Sequence, residues 1–194
     1  MTTSEQLIWD IEAAFATVSR GTGATLHEAA AFEGTDYASA EERACVRALD
    51  TETRWQDIPD SALEECADGF AFEEEGFRYH LPAYMRWHLR HPEGLGPFRG
   101  VVLFALLSVW GHRDKERLRG EQSFDRFTLK QRHVVARFVE LMALESGDAD
   151  LRYLAEQAWQ SYWHKFGEPS AAPNGGPATR PANSGVTERP PSVS

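Results

Sequence analysis

The stretch from Glu73 to His91, EEEGFRYHLPAYMRWHLRH, constrains this chain more than any other. Phe77, Leu81, Met85 and Leu89 recur at every fourth position, and Tyr84 and His88 widen the stripe. Side chains four apart stack on one face of an α-helix. Tyr79 and Trp87 point away from that stripe, so apolar surface wraps most of the rod. A helix of this kind belongs in the middle of a bundle. Pro82 complicates the pattern, because proline lacks the amide and clashes with the preceding turn, at ~3 kcal/mol in a helix interior. Either the helix kinks at Pro82 or it begins there with proline in its first turn. The second arrangement is expected: a start near Leu81, after a short turn or extended piece over Gly76–His80. The Phe77/Leu81/Met85/Leu89 ridge then forms the spine for the other rods.

Those rods are read from the same periodicity. Leu7, Ile11, Ala14, Phe15 and Val18 predict a helix over 4–18, capped by Thr3 with Gln6 and ended by Gly21–Gly23. Residues 24–39 are weakly patterned. Residues 40–50 predict a helix with Ala44, Cys45, Ala48 and Leu49 inward, Cys45 acting as a small apolar residue. Trp55–Pro59 reads as a connection with Ile58 extended before the proline. Asp60 or Ser61 is placed to cap a short helix through Leu63 to Cys66. His91–Pro97 reads as a loop.

Val101–Trp110 is a buried helix or strand, with neighbouring helices favouring helix; a membrane span needs ~20 apolar residues, twice its length. Gly111–Phe127 is charged and loop-rich. Thr128 with Gln131 opens a helix to about Leu144 that buries Val134, Val135, Phe138, Val139 and Met142. After Gly147, capped by Asp148 or Asp150, a last helix buries Leu151, Leu154, Ala155, Ala158 and Tyr162, and Gly167 ends it.

The expected fold class is all-α: an irregular bundle of four or five helices forming one domain over 1–166. From Gly167 onward the chain holds six of its ten prolines and no aromatic residue. Such a segment buries too little apolar surface to offset the entropy of ordering, so 167–194 is expected to be a disordered tail.

Charge narrows the function classes. The chain of 194 residues carries a formal net charge of -10. Residues 1–75 hold 18 Asp+Glu against 4 Lys+Arg, whereas residues 76–166 hold 10 against 14. An acidic protein is a poor generic polyanion binder, because phosphate neutralisation needs a cationic surplus. The mixed-charge run Arg113–Arg137, interleaved with Phe124 and Phe127, reads as an ordinary charged surface, so no nucleic-acid partner is expected. Nor is a membrane partner. The acidic half either lies partly against the mildly basic second half, so that the fields offset within one molecule, or steers a basic protein partner, with Glu64, Glu65, Glu73 and Glu74 as its densest cluster. The N-terminus has no basic start or apolar stretch of a secretory leader, and Cys45 and Cys66 make no disulfide framework, so a cytoplasmic location is expected.

Candidate chemistry concentrates at Glu75–His91. Arg78 is suited to gripping an anionic group with its planar fork, and His80 or His88 to carrying a proton. Those three are the catalytic candidates. Glu75, Arg78, Tyr79, Tyr84 and Trp87 are the binding candidates for a pocket near Gly76–His88. His80, His88 and His91 lack a marked third ligand, so no metal site and no cofactor are expected. Phosphate loops, dinucleotide fingerprints and nucleophile elbows are absent. Function stays open between two classes: a small acidic protein-interaction module of regulatory or immunity-like type, and an enzyme acting on a small anionic substrate.

Three runs resemble those of an uncharacterised bacterial family, a domain of unknown function. They are Trp55-Gln56-Asp57-Ile58-Pro59, the run Glu75-Gly76-Phe77-Arg78-Tyr79-His80-Leu81-Pro82-Ala83-Tyr84-Met85, and Thr128 to Arg132 with Phe138. The similarity spans roughly residues 55–145. The resemblance implies a small, mostly helical domain and carries no function with it.

Overall fold

The computed structural model describes residues 2–32, 39–66, 72, 74–92, 99–107 and 124–167. Among them every regular element is helical. In chain order these are α1 (Thr3–Ala14), α2 (Leu26–Ala31), α3 (Ala40–Arg47), α4 (Asp60–Glu65), α5 (Glu74–Arg90), α6 (Arg99–Ala105), α7 (Leu129–Glu145) and α8 (Ala149–Ser161). Short 3-10 turns add Trp55–Asp57 and Trp163–Phe166. The all-α class holds, and single-turn pieces join the longer rods. The expected tail, the loop after Pro92 and residues 108–123 lie outside the described residues.

Local chemistry sets the helix starts. α1, α2, α3 and α7 each open on a capping box, in which a Thr or Ser hydroxyl accepts from the third helical amide and that residue's side chain accepts from the cap amide. At α1 the cap is Thr2 with Glu5, one residue ahead of the expected Thr3 with Gln6. The weakly patterned 24–39 stretch holds α2, opened by Thr25 with Glu28. Asp148 caps α8 as expected. α4 starts at Asp60 behind Pro59, with no side-chain cap from either residue proposed for it.

α5 is the centre. Its residues Phe77, Leu81 and Met85 are buried, and Leu89 packs against the core from its edge. The ridge is as expected, but the helix start is not. α5 runs from Glu74 straight through Pro82, which is itself buried. Apolar contact on every side outweighs the missing amide, whose loss falls on the carbonyl of Arg78. α1 and α7 lie antiparallel: Gln131 Nε2 donates to Ala14 O at 3.1 Å, and Arg137 pairs with Asp10 about one to two turns further along. Lys130 Nζ reaches Ala13 O as well, so the start of α7 supplies donors to the open C-terminus of α1.

Two buried tryptophans tie distant segments. Trp55 Nε1 donates to Phe15 O at 2.9 Å, and Trp163 Nε1 donates to Leu106 O at 2.9 Å. α6 packs on α8, Gly100 lying against Leu154. This resolves 101–105 as helix.

α3 departs furthest from expectation. None of its residues is buried. Ala44, Cys45, Ala48 and Leu49 face solvent instead of the core, Leu49 at 62 % exposure. Their side chains are mostly too small to anchor a helix. Polar bonds hold α3 instead: Arg47 pairs with Glu28 at 2.8 Å and donates to Gly23 O at 2.9 Å.

Candidate functional site

Most of the sequence-derived candidates sit inside the core. Tyr79 is 1 % exposed, His80 1 % and Tyr84 0 %. His80 Nδ1 donates to Gly76 O at 2.8 Å, and its ring stacks on Phe72 at 4.3 Å. Burial disfavours the imidazolium and lowers its pKa to about 4. Burial likewise pushes the Tyr79 phenol up to about 12, although the Arg20 guanidinium 5.8 Å from its ring opposes the shift. The Tyr84 phenol is raised for the same reason. Trp87 is buried with Nε1 donating to Glu64 Oε1 at 2.9 Å. Glu64, expected on the wet acidic cluster, therefore serves the fold.

Arg78 and Glu75 are different. Both line a cavity of about 210 Å³ between the turn after α1 and the first turns of α5, with Thr17, Ser19, Gly21 and Arg126 on its other walls. A second cavity, about 530 Å³, shares Glu74, Glu75 and Arg126 and extends to Thr22, Glu28, Arg43 and Arg47. Together they form a polar groove beside the start of α5. The Glu75 carboxylate accepts from Thr22 Oγ1 at 3.1 Å. It also sits where a Cβ on Gly21, at φ 60°, would meet it at 3.0 Å. Glu74 is held by Arg126 Nε at 2.9 Å. Arg78 makes no hydrogen bond or ion pair among the described residues, and its Nε is buried without a partner.

His88 belongs elsewhere. It is 3 % exposed, lies edge-on to Trp87, and borders a separate cavity of about 120 Å³ with Ser4, Met142 and Glu145. Ten residues of helix separate it from Arg78, roughly 15 Å along the axis. His80, two residues from Arg78, points to the opposite side of α5. The scheme in which Arg78 grips an anion while His80 or His88 moves its proton lacks a shared cavity among the described residues. No group of three or more His, Cys, Asp or Glu side chains is arranged for a metal among the described residues.

The conspicuous sequence runs are mostly structural. Arg86, 4 % exposed, donates from Nη1 to Gln56 O at 2.9 Å and from Nη2 to Ile58 O at 3.4 Å, with its guanidinium 5.3 Å from the Trp55 ring. It pins the Trp55–Pro59 connection to α5. Gln131 and Arg132 do the same around α7: Arg132 donates to the carbonyls of Phe124, Asp125 and Phe127. Sequence reasoning missed Arg86, Thr22 and Arg126. A lone arginine inside an apolar stripe is the one cue that marks Arg86 in advance.

Residues 3–166 match DUF6714, a family of unknown function, and the chain belongs to that family. No curated protein and no solved structure matches the chain. No helix among the described residues is long and apolar enough to cross a membrane.

Proposed function

We propose that this member of a family of unknown function is an interaction module that receives a basic segment of a partner protein on the acidic face built by residues 41–65. The observation that carries the reading is α3. It buries none of its residues, yet it is capped and is fixed by the Arg47–Glu28 ion pair and the Arg47 bond to Gly23 O, so it holds a charged surface in place without contributing to the core. Residues 39–66 hold eight carboxylates against three arginines; among the carboxylates, Asp50 is turned inward onto His27, Asp60 pairs with His91 and Glu64 accepts from Trp87. Two of the arginines are already ion-paired, Arg47 with Glu28 and Arg54 with Asp57, and Arg43 lies over the Phe32 ring. Asp50 and Glu65 help to push the buried Cys66 thiol up to about 11, behind burial as the main cause. A field of this sign speeds encounter with a cationic partner and weakens with salt.

The test is titration with a hexalysine peptide at low and physiological ionic strength. The side chains of Glu41, Glu52 and Glu65 accept no intramolecular hydrogen bond among the described residues, so their replacement by Gln leaves the fold alone. The triple variant is expected to weaken binding by about tenfold at low salt. A control variant neutralising Glu145, Asp150 and Glu156 is expected to bind as the parent does. Equal losses in both variants would reduce the effect to net charge and overturn the reading. The competing assignment, catalysis on a small anion, needs a proton carrier beside Arg78, and both candidate imidazoles lie away from that cavity.

A further inference from the structure

We propose that the cavity of about 210 Å³ beside the start of α5 is a binding site for a small monocarboxylate, with Arg78 as its anchor. This goes beyond the acidic-face reading and stands on separate residues.

The charges around the cavity are unequally spent. Glu74 is neutralised by Arg126, and Glu75 is turned toward Thr22 and Gly21. Arg78 lines the cavity, its guanidinium has no acceptor among the described residues, and its Nε is already out of water. The two Nη groups are not sealed from solvent as Nε is, so they are the donors a bound anion meets. The guanidinium fork matches the two oxygens of a carboxylate. Thr17 and Ser19 line the same cavity, and neither hydroxyl has a hydrogen-bond partner among the described residues. Three unspent donor groups therefore face one space.

Size and charge choose within the anions. At ~30 Å³ per water, the cavity holds the equivalent of about seven waters, which suits a short-chain acid. The lining contains Arg78 and Arg126 against Glu74 and Glu75, so its formal charge is balanced. One added negative charge leaves Arg78 paired. A second would sit unpaired near Glu75, so a phosphate dianion is disfavoured.

The experiment follows the arginine Nε–Hε cross-peaks of the ¹⁵N-labelled full chain, titrated at pH 7.5 with acetate, inorganic phosphate and chloride at constant ionic strength. The Arg78 peak, assigned through Arg78→Lys, is expected to shift saturably with acetate, with half-saturation at or below about 20 mM. Phosphate is expected to bind at least about fivefold more weakly, and chloride to give no saturable shift. Ser19→Ala, a surface change that leaves the core alone, is expected to weaken acetate by about threefold. An acetate shift that stays linear, or is matched by chloride, overturns the site. Tighter binding of phosphate overturns the monocarboxylate assignment. Hexalysine binding is unaffected by Arg78→Lys if the two surfaces are independent, so failure here is distinguishable from failure of the acidic-face reading.

Discussion

α5 and α3 are both helices, and they are stabilised by opposite means. Twelve of the seventeen residues of α5 are buried, including proline, arginine and two histidines. None of the eight residues of α3 is. α5 carries an interior proline that its local sequence disfavours, because packing on all sides holds it. α3 has a good cap and a clear apolar face, yet that face meets solvent, and Arg47, paired with Glu28 and bonded to Gly23 O, keeps the helix in place. Amphipathic spacing identifies which side of a helix is apolar. It does not say whether the rest of the chain supplies a surface to cover it.

The contrast is broken most forcefully by truncation. Leu81→Ala in α5 is expected to cost about 3 kcal/mol in urea unfolding, because Leu81 is fully buried, whereas Val46→Ala in α3 is expected to cost less than about 0.5. Equal losses would erase the distinction.

Acid sharpens it next. His80 is buried in its neutral form, with a folded pKa of about 4 against an ordinary 6.5. As pH falls, the unfolded chain takes up this proton first. The contribution is therefore fully present above about 6.5 and is lost as pH drops toward 4. The loss is on the order of 3 kcal/mol. His80→Phe, which keeps the stack on Phe72, is expected to flatten this part of the stability–pH curve; an unchanged slope between pH 7 and 4 would place the titrating group elsewhere.

A smaller effect tests how the start of α5 is tied to the turn after α1. Gly21→Ala places a side chain in the left-handed region and against the Glu75 carboxylate. The expected cost is about 1–2 kcal/mol by thermal unfolding, with Glu75→Gln in the same background recovering none of the backbone part. The smallest effect belongs to α3. Ser39→Ala removes its capping box, worth about 1 kcal/mol to the helix. Because α3 buries nothing, local helicity is expected to fall, as read by amide shifts of 40–47, while global stability stays within about 0.5 kcal/mol.

Much of this architecture was legible where a local rule and the tertiary outcome agree. The ridge of Phe77, Leu81 and Met85, the Thr128 capping box and the Asp148 cap were all readable from spacing. Pro82 reads as a helix start in sequence because the proline rule is local, whereas the burial that overrides it comes from segments far along the chain. The Ala44/Cys45/Ala48/Leu49 face was misread for the converse reason, a local pattern with no tertiary partner. The site was less legible. Arg78 stood out in sequence, but its unspent guanidinium depends on Glu75 being taken by Thr22, 53 residues away. Arg86 went unnoticed because its acceptors, Gln56 and Ile58, lie 30 and 28 residues earlier.

Native-state amide hydrogen exchange tests the contrast between spine and polar face most directly. Amides of α5 from Phe77 to His88, apart from Pro82, are expected to exchange only through global unfolding, with a common protection that tracks the denaturant-derived stability. Amides of α3 from Arg43 to Arg47 are expected to exchange by local opening, at least about a hundredfold faster and with little denaturant dependence. Equal protection in the two helices, or faster exchange in α5 than in α3, would contradict the account.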